Sequence, residues 1–295
     1  LPHELWSKII KPVIFYGLSN RHWQGQTYHH LDKLRLTIEK ILSSEHMILS
    51  VRNDGTRTWL KEFVGIESNK IVEIPDSAVF VPTKDEEYHS EIFEDVKNIM
   101  LSFNDEDAPN RFDHTLSKPD FSNHSRDYII DELVHSSEQL AENYNVNLIL
   151  CPHYFDDYRM MSEFIERIQP RIAHQRMVST GLCRVKDTDF FYGRYKKADL
   201  SISMRVHSMS PCIGLGTPMI AYTTQNRMTD FLERIGLKDL SVDAFELSSG
   251  SSLYNKAKFA LDNSQSVRQR FSQVRESLRE ETRKFHEQIF QLLTF

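Results

Sequence analysis

Arg205 and His207 combine an anion-binding group with a group that can hand over a proton. They stand two residues apart in the stretch "DLSISMRVHSMSPCIGLGTPMIAY". Arginine offers a fixed fork of donors for a carboxylate or a phosphate, and histidine titrates near neutral pH. An anion site beside a proton donor is the minimum for acid catalysis on a phosphorylated or carboxylated substrate. The alternative without a function is that a strand of any sheet can end in polar residues.

The elements around this pair favour the functional interpretation. Residues 200–204 alternate like a strand, residues 208–215 suit a short helix of small residues, and another strand begins at Met219. In a strand, helix, strand unit of a parallel sheet, ligands bind in the loop between the strand end and the helix start. Backbone N–H groups at the start of a helix add partial positive charge there. We therefore predict that Arg205 and His207 lie in an anion site.

Two further arginines follow predicted strands. Arg52 ends the strand in "HMILSVRNDGTRTWL", and Arg227 follows the strand that begins at Met219. If the strand ends of two sheets face one another, Arg52 and Arg205 point into one cleft. The alternatives are that Arg52 caps a surface turn and that Arg227 only begins a helix.

His153 and Asp157 occur in the stretch "CPHYFDDY", directly after the predicted strand "VNLIL". This position predicts that both lie at the carboxyl edge of the same sheet, where a carboxylate can orient sugar hydroxyls. Asp157 could equally be the N-cap of the next helix. No second cluster of ligands at metal-binding spacing accompanies them, so we predict no metal site.

Strand and helix patterns alternate along the chain and predict an α/β protein with parallel sheets. We expect an incomplete N-terminal Rossmann-like domain over residues 1–90 and a C-terminal Rossmann-like domain with the Arg-x-His motif over residues 91–265. A C-terminal amphipathic helix should follow over residues 266–295. The polar stretch "DEDAPNRFDHTLSKPDFSN" predicts a loop.

Composition narrows the class of partner. The 295 residues carry a formal charge of -6, which gives no electrostatic reason to expect nucleic acid. Three cysteines without a CxxC pair indicate neither a zinc knuckle nor a disulfide framework. No apolar run reaches the roughly 18 residues of a membrane span, and the first twenty residues lack a signal pattern. Because the chain begins with Leu1, it is either processed or a fragment.

With these residues in hand, the chain resembles the polysaccharide pyruvyl transferase family. The most specific block is "ADLSISMRVHSMSPCIGLGTPMIAY" followed by "RMTDFLERIGL", and weaker matches are "YGLSN", "ILSVRNDGTRTWL", "IVEIPDSAVF" and "LILCPHYFDD". The resemblance implies two Rossmann-like domains in a glycosyltransferase B-like arrangement. It implies transfer of the enolpyruvyl unit of phosphoenolpyruvate onto two sugar hydroxyls, as a ketal. The family's opening strand and Gly-Asp turn have no counterpart here, so we expect a truncated N-terminal domain.

The resemblance also implies roles for individual residues. Arg205 and His207 correspond to the family's Arg-x-His motif, with His207 supplying acid, while Arg52 and Arg227 would bind phosphoenolpyruvate. Arg227 stands where the family has a lysine, and Asn53 stands where it has an aspartate. The donor is a substrate, and no cofactor is implied. The expected partners are phosphoenolpyruvate and a sugar or lipid-linked saccharide, in the cytoplasm, which is compatible with peripheral membrane association.

Two other functions fit the same fold. A nucleotide-sugar glycosyltransferase would use the same cleft and helix start for a diphosphate, and only the Arg-x-His block separates it from a pyruvyl transferase. A non-catalytic glycan-binding relative would bind the acceptor sugar without turnover. Binding of phosphoenolpyruvate or of UDP and GDP sugars, measured as a rise in melting temperature, would separate these alternatives.

Overall fold

The computed structural model describes residues 3–6, 8–20, 28–83, 89–105, 125–183, 187–245 and 252–294. The predicted polar loop at residues 105–123 lies almost entirely outside the described residues. Within these ranges the chain forms two separate parallel sheets flanked by helices. The α/β class with parallel sheets is therefore confirmed.

The first sheet contains three parallel strands in the order β1-β2-β3. Its strands are β1 (Val13–Leu18), β2 (Met47–Arg52) and β3 (Ile71–Ile74). Its helices are α1 (His3–Trp6), α2 (Leu31–Ser43) and α3 (Thr56–Trp59), which one wider turn continues over Leu60–Val64. Ile38 and Ile41 of α2 and Trp59 of α3 pack on the strands in a small core of their own.

The second sheet contains six parallel strands in the order β6-β5-β4-β7-β8-β9. Its strands are β4 (Lys97–Ser102), β5 (Val146–Cys151), β6 (Met177–Ser179), β7 (Leu200–Ser203), β8 (Met219–Thr223) and β9 (Ser241–Asp243). Every residue of β5, β7 and β8 is buried. Burial on both faces is typical of parallel strands that helices cover from two sides, and it explains their nearly continuous apolar runs.

The helices that cover the second sheet follow the alternation expected from the sequence. They are α4 (Ser125–Asn143), α5 (Asp157–Arg167), α6 (Pro170–Gln175), α7 (Thr188–Lys197), α8 (Val206–Leu215), α9 (Asn226–Arg234) and α10 (Ser252–Asp262). Helix α8 begins two residues before the predicted position, because Arg205 is its N-cap and His207 already lies in its first turn. No helix among the described residues is both long and apolar enough to cross a membrane.

The long C-terminal helix α11 (Ser264–Thr294) connects the two sheets. It buries Val267, Phe271 and Leu278 in the main core and reaches β3 of the first sheet. Farther along, the hydroxyl of Tyr16 on β1 lies 2.9 Å from Nε2 of His286. The helix predicted over residues 266–295 is thus present. The two sheets lie on either side of the boundary predicted at residue 90, although the domain limits themselves stay predictions.

Candidate active site

The start of α8 is fixed by two serines. The backbone N–H of Met204 donates to the hydroxyl of Ser102 at the end of β4, at 2.9 Å. That hydroxyl lies 2.8 Å from the hydroxyl of Ser208 in the first turn of α8. The two contacts hold the helix start against the neighbouring strand. As a result, Arg205 and His207 have defined positions at the carboxyl edge of the second sheet, as predicted.

Arg205 is held inside the protein by Asp157. Its Nε donates to Asp157 at 3.2 Å and to the carbonyl oxygen of Phe103 at 3.0 Å, and its Nη2 donates to the other oxygen of Asp157. Tyr154 covers the guanidinium, with its ring centroid 4.6 Å away. With 6% of its side chain exposed, Arg205 forms a buried ion pair. Its positive charge therefore acts mainly on Asp157.

Asp157 contacts backbone groups and Arg205 inside the protein and does not line the cleft surface. It is fully buried, and besides Arg205 it accepts hydrogen bonds from the backbone N–H groups of Asp105, His153 and Tyr154. These donors occupy both carboxylate oxygens and leave a substrate no open approach to them. The sequence left an N-cap and a sugar ligand as alternatives for Asp157. The contacts support neither of these and instead show a residue that positions Arg205.

His153 lies behind the start of α8 and is half-buried. Its Nε2 is 2.8 Å from the hydroxyl of Tyr195, and its ring meets Phe191 edge-on at 5.2 Å. Burial and the positive charges of Arg205 and His207 lower the pKa of His153 to about 3. The ring is therefore neutral at physiological pH. The prediction that His153 binds substrate stays a prediction.

His207 and Arg52 meet on Asp76, a residue that the sequence analysis did not single out. Nε2 of His207 lies 3.3 Å from Oδ2 of Asp76, and Nη1 of Arg52 lies 2.7 Å from the same oxygen. Asp76 is buried, whereas 44% of the His207 side chain is exposed. Residues from both sheets thus converge on one carboxylate. The predicted pair in one cleft was Arg52 with Arg205, but Arg205 is buried against Asp157, and His207 is the residue that meets Arg52.

Asp76 is held in place by the short turn that it begins. It is the N-cap of a turn of 3₁₀ helix over Ser77–Phe80 and accepts a hydrogen bond from the N–H of Ala78 at 2.9 Å. This turn packs directly on α8: a Cβ added to Gly214 would lie 1.7 Å from the carbonyl oxygen of Val79. Only glycine permits so close an approach, which brings Asp76 to His207.

The charges around Asp76 keep it ionised. Burial alone would raise the pKa of its carboxyl. The hydrogen bond and positive charge of His207, the charge of Arg52 and the N–H of Ala78 outweigh burial and lower the pKa below its ordinary value. A half-exposed imidazole backed by a carboxylate can hold a proton and give it to a substrate. Arg52 adds a positive charge for an anion at the same place.

Arg227 lines a neighbouring cleft. It lies in the first turn of α9, where its Nε donates to the side-chain oxygen of Gln225 at 2.6 Å. The cleft, of about 520 Å³, lies between α9 and the turn after β2, where Asn53 and Gly55 form part of its wall. Arg52 and Asn53 are consecutive, so the cleft adjoins the cluster around Asp76. Among the described residues, no group of three or more potential metal ligands occurs.

A comparison with protein families identifies the family of this chain. The sequence model of the family described as polysaccharide pyruvyl transferase matches residues 3–226. The chain belongs to this family. The matched region includes β2 with Arg52, the turn with Asp76, and α8 with His207. No curated protein sequence matches this polysaccharide pyruvyl transferase family member.

Solved structures of similar fold have low sequence identity to this chain. A glycosyltransferase from Rickettsia africae ESF-5 has a TM-score of 0.52 at 11% identity, covering 90% of this chain and 69% of its own. The S. aureus MnaA-UDP co-structure has a TM-score of 0.51 at 13% identity, with 95% and 69% covered. Sucrose-phosphate synthase from Thermosynechococcus elongatus has a TM-score of 0.50 at 14% identity; this chain covers only 62% of it, and 88% of this chain is aligned. These similarities show the predicted glycosyltransferase B-like fold of two Rossmann-like domains.

Proposed function

We propose that the protein transfers the enolpyruvyl unit of phosphoenolpyruvate onto two hydroxyls of a sugar, forming a pyruvate ketal and releasing phosphate. One observation carries this proposal: His207 and Arg52, from the two sheets, meet on the same oxygen of Asp76. The reaction needs a proton donor next to a site for a doubly anionic substrate. Membership of the family supplies the reaction class, and the specific donor and acceptor are our proposal.

His207 is the proposed general acid. Protonation of the methylene carbon of phosphoenolpyruvate creates an oxocarbenium-like centre at the adjacent carbon, and Asp76 stabilises the charged imidazole before the transfer. Arg52 and Arg227 bind the carboxylate and the phosphate of the donor, and they stabilise the phosphate as it leaves. Arg205, held by Asp157, fixes the start of α8, whose N–H groups add positive charge beside His207.

The proposed steps balance. One proton moves from His207 to the methylene carbon, which becomes a methyl group. The first sugar hydroxyl adds to the neighbouring carbon and loses its proton, the bond to the phosphate oxygen breaks, and the second hydroxyl closes the ketal with loss of another proton. Of these two protons, one restores His207 and the other leaves on the phosphate. No oxidant, reductant or cofactor is required.

The proposal implies particular partners and a place. The donor is phosphoenolpyruvate, and the acceptor is a sugar of a polysaccharide or of a lipid-linked precursor. Because phosphoenolpyruvate is a cytoplasmic metabolite, we assign the reaction to the cytoplasm. A lipid-linked acceptor would bring the protein to a membrane surface as a peripheral partner.

The experiment that tests the proposal supplies phosphoenolpyruvate and a panel of nitrophenyl and lipid-linked sugars, and follows released phosphate and the mass of the sugar. We expect a mass gain equal to a pyruvate ketal. His207→Ala should lower the rate by about 10²-fold or more, as is usual for loss of a general acid. His174→Ala, which changes an exposed histidine outside the cleft, is the matched control and should keep the wild-type rate.

The outcome that would contradict the proposal is equally specific. If UDP or GDP sugars raise the melting temperature while phosphoenolpyruvate does not, the cluster binds a nucleotide diphosphate instead. A loss of less than tenfold in His207→Ala would remove His207 from the role of acid. The result for His207→Ala counts only if its melting temperature and circular dichroism spectrum match those of the wild-type protein, which shows that the variant is folded.

A further inference from the structure

The cleft beside the Asp76 cluster is large enough to hold a second ligand next to the proposed donor. It is bounded by the turn after β2, by α3 with the wider turn that follows it, and by α9. Its volume of about 520 Å³ is within the range of small-molecule sites in proteins, roughly 300–1,000 Å³. Both sheets contribute elements to its wall, so a ligand there would contact both halves of the protein.

Asn53 is a buried amide without a hydrogen-bond partner among the described residues. Only 1% of the residue is exposed, and neither its Oδ1 nor its Nδ2 meets a donor or acceptor there. Asn20, at the same wall, has an Nδ2 in the same condition. Buried amides are nearly always hydrogen-bonded, so an unpartnered one that lines a cleft points to a ligand. An amide both donates and accepts, and a hydroxyl group matches it in both respects.

An aromatic surface lies along the same cleft. The rings of Trp59 and Phe63 are nearly parallel, with centroids 6.0 Å apart and an angle of 19° between their planes. Trp59 is buried and fixed by its Nε1, which donates to the hydroxyl of Tyr28 at 3.1 Å, whereas 44% of Phe63 is exposed. Phe63 therefore offers an apolar face on a rigid base, against which the C–H face of a sugar ring can pack.

Apart from Arg227, which the proposed function assigns to the donor, the charged residues of the described lining are mostly acidic and disfavour an anionic acceptor. Among the described residues that line the cleft, five are acidic and two are basic: Asp54, Glu62, Glu73, Asp230 and Glu233 against Arg227 and Arg234. Asp54 is also tied down, because it accepts hydrogen bonds at 2.6 Å from the hydroxyls of both Ser19 and Thr56. An excess of carboxylates disfavours an acceptor sugar that carries its own carboxylate, such as a uronic acid, and it accepts hydrogen bonds from sugar hydroxyls.

We propose that this cleft is the acceptor site and that it selects an uncharged saccharide, with the amide of Asn53 bonded to its hydroxyls and Phe63 packed on its ring. The role as acceptor rests on the proposed function. Asn53 directly follows Arg52, so a sugar bonded to Asn53 has its hydroxyls next to the donor that Arg52 and His207 bind. The anionic donor would thus lie beside the positive groups of Arg52 and His207. The uncharged acceptor would lie in the adjacent cleft, whose charged residues are mostly acidic.

The test measures binding to the full chain by calorimetry, with nitrophenyl β-galactoside, nitrophenyl β-glucoside and nitrophenyl β-glucuronide as probes, and with phosphoenolpyruvate titrated separately. We expect at least one neutral glycoside to bind tenfold or more tightly than the glucuronide. Asn53→Leu and Phe63→Ala should each weaken this binding by tenfold or more and leave phosphoenolpyruvate affinity within twofold. Phe259→Ala, which removes a similarly exposed ring (50%) on α10, is the control and should change neither affinity.

A second readout separates a binding amide from a structural one. Because Asn53 has no partner among the described residues, Asn53→Leu should keep or raise the melting temperature of the ligand-free protein, whereas loss of a structural amide would lower it. Three results would overturn the inference: equal or tighter binding of the glucuronide, unchanged glycoside binding in Asn53→Leu, or no glycoside binding while phosphoenolpyruvate binds. If glycosides bind in an Asn53-dependent way but phosphoenolpyruvate does not, the saccharide site stands and the proposed transfer fails.

Discussion

Replacing Asp76 by asparagine removes one charge from the centre of the proposed active site and keeps the size of the side chain. Asp76 lies 3.3 Å from Nε2 of His207 and 2.7 Å from Nη1 of Arg52. The substitution takes away the carboxylate that stabilises a protonated His207. It also releases Arg52 from its ion pair. We therefore expect slower chemistry together with donor binding that is at least as tight.

The distance sets the size of the effect on the rate. Unit charges 3.3 Å apart attract by about 1.3 kcal/mol at the dielectric of water and by about 5 kcal/mol at an effective dielectric of about 20. Because 44% of His207 is exposed, solvent screening moves the value toward the lower limit, to about 1–3 kcal/mol. Each 1.36 kcal/mol corresponds to about tenfold in rate. Asp76→Asn should thus lower kcat roughly ten- to a hundredfold.

The assay is phosphate release at saturating acceptor and varied phosphoenolpyruvate, which gives kcat and the KM for phosphoenolpyruvate separately. A structural role for Asp76 would lower the amount of active protein and leave KM unchanged, so a lower KM for phosphoenolpyruvate together with the lower kcat is the diagnostic result. Asp239→Asn is the matched control, since Asp239 forms an exposed ion pair with Arg270 away from the cleft. A kcat within twofold of wild type in folded Asp76→Asn would refute the reasoning.

Three further substitutions probe the surroundings of the site. Gly214→Ala should lower stability by about 1–3 kcal/mol and reduce activity, because its Cβ would overlap the carbonyl of Val79 and displace the turn that carries Asp76. Arg205→Ala should lower stability by about 3–5 kcal/mol, because it leaves the buried charge of Asp157 uncompensated. Asp230→Asn should raise stability at pH 7–8 by on the order of 1 kcal/mol, after discounting for solvent screening, and have no effect near pH 3.

The sign of the Asp230 effect follows from its surroundings. Burial, and then the negative charges of Asp54, Glu233 and Glu62, raise the pKa of Asp230 to about 6, while Lys238 opposes them. The folded protein therefore binds this proton more tightly than the unfolded chain does. The ionised carboxylate destabilises the fold above about pH 6, and the penalty disappears as the pH falls through the ordinary range of aspartate.

Each of these predictions has a control measured by the same unfolding experiments. Gly181→Ala should be nearly neutral, since a Cβ at Gly181 meets no atom within 4 Å. Arg270→Ala breaks an exposed pair with Asp239 and should cost about 1 kcal/mol or less. Asp239→Asn should show the opposite pH dependence to Asp230→Asn, because Arg270 lowers the pKa of Asp239 and its ionised form stabilises the fold. If a variant and its control show the same change in stability, the physical reason given for that variant is wrong.

The sequence predicts what depends on local pattern. The fully buried strands β5 and β7 show as apolar runs, and the helix over Ser264–Thr294 shows as apolar residues at helical spacing, so both elements could be found without a structure. The place of Arg205 and His207 follows from these elements, because the end of a parallel strand and the start of a helix must coincide. Local pattern thus suffices for the fold class and for one edge of the site.

What the sequence did not predict depends on contacts between distant segments. Asp76 follows the end of β3 by two residues, and nothing near it in the sequence shows that α8 will pack on its turn. That packing depends on Gly214, which in the sequence cannot be told apart from the other small residues of the helix. In the same way, Asp157 and Arg205 are each of a residue type that often binds ligands, so the sequence offers both as candidate binding residues. Only their mutual burial shows that they satisfy one another.

In the proposed function, the end of β2 contacts both substrates. Arg52 is the last residue of β2 and contacts Asp76, while Asn53, the first residue of the following turn, lines the neighbouring cleft. Their positions depend on the register of β2 with β3, in which Arg52 pairs with Ile74 and the N–H of Asn53 donates to the Ile74 carbonyl at 3.0 Å. A shift of one residue would exchange the two side chains and place a guanidinium in the cleft and an amide against Asp76. If the proposed sites are correct, the register of these two strands determines which substrate meets the guanidinium and which meets the amide.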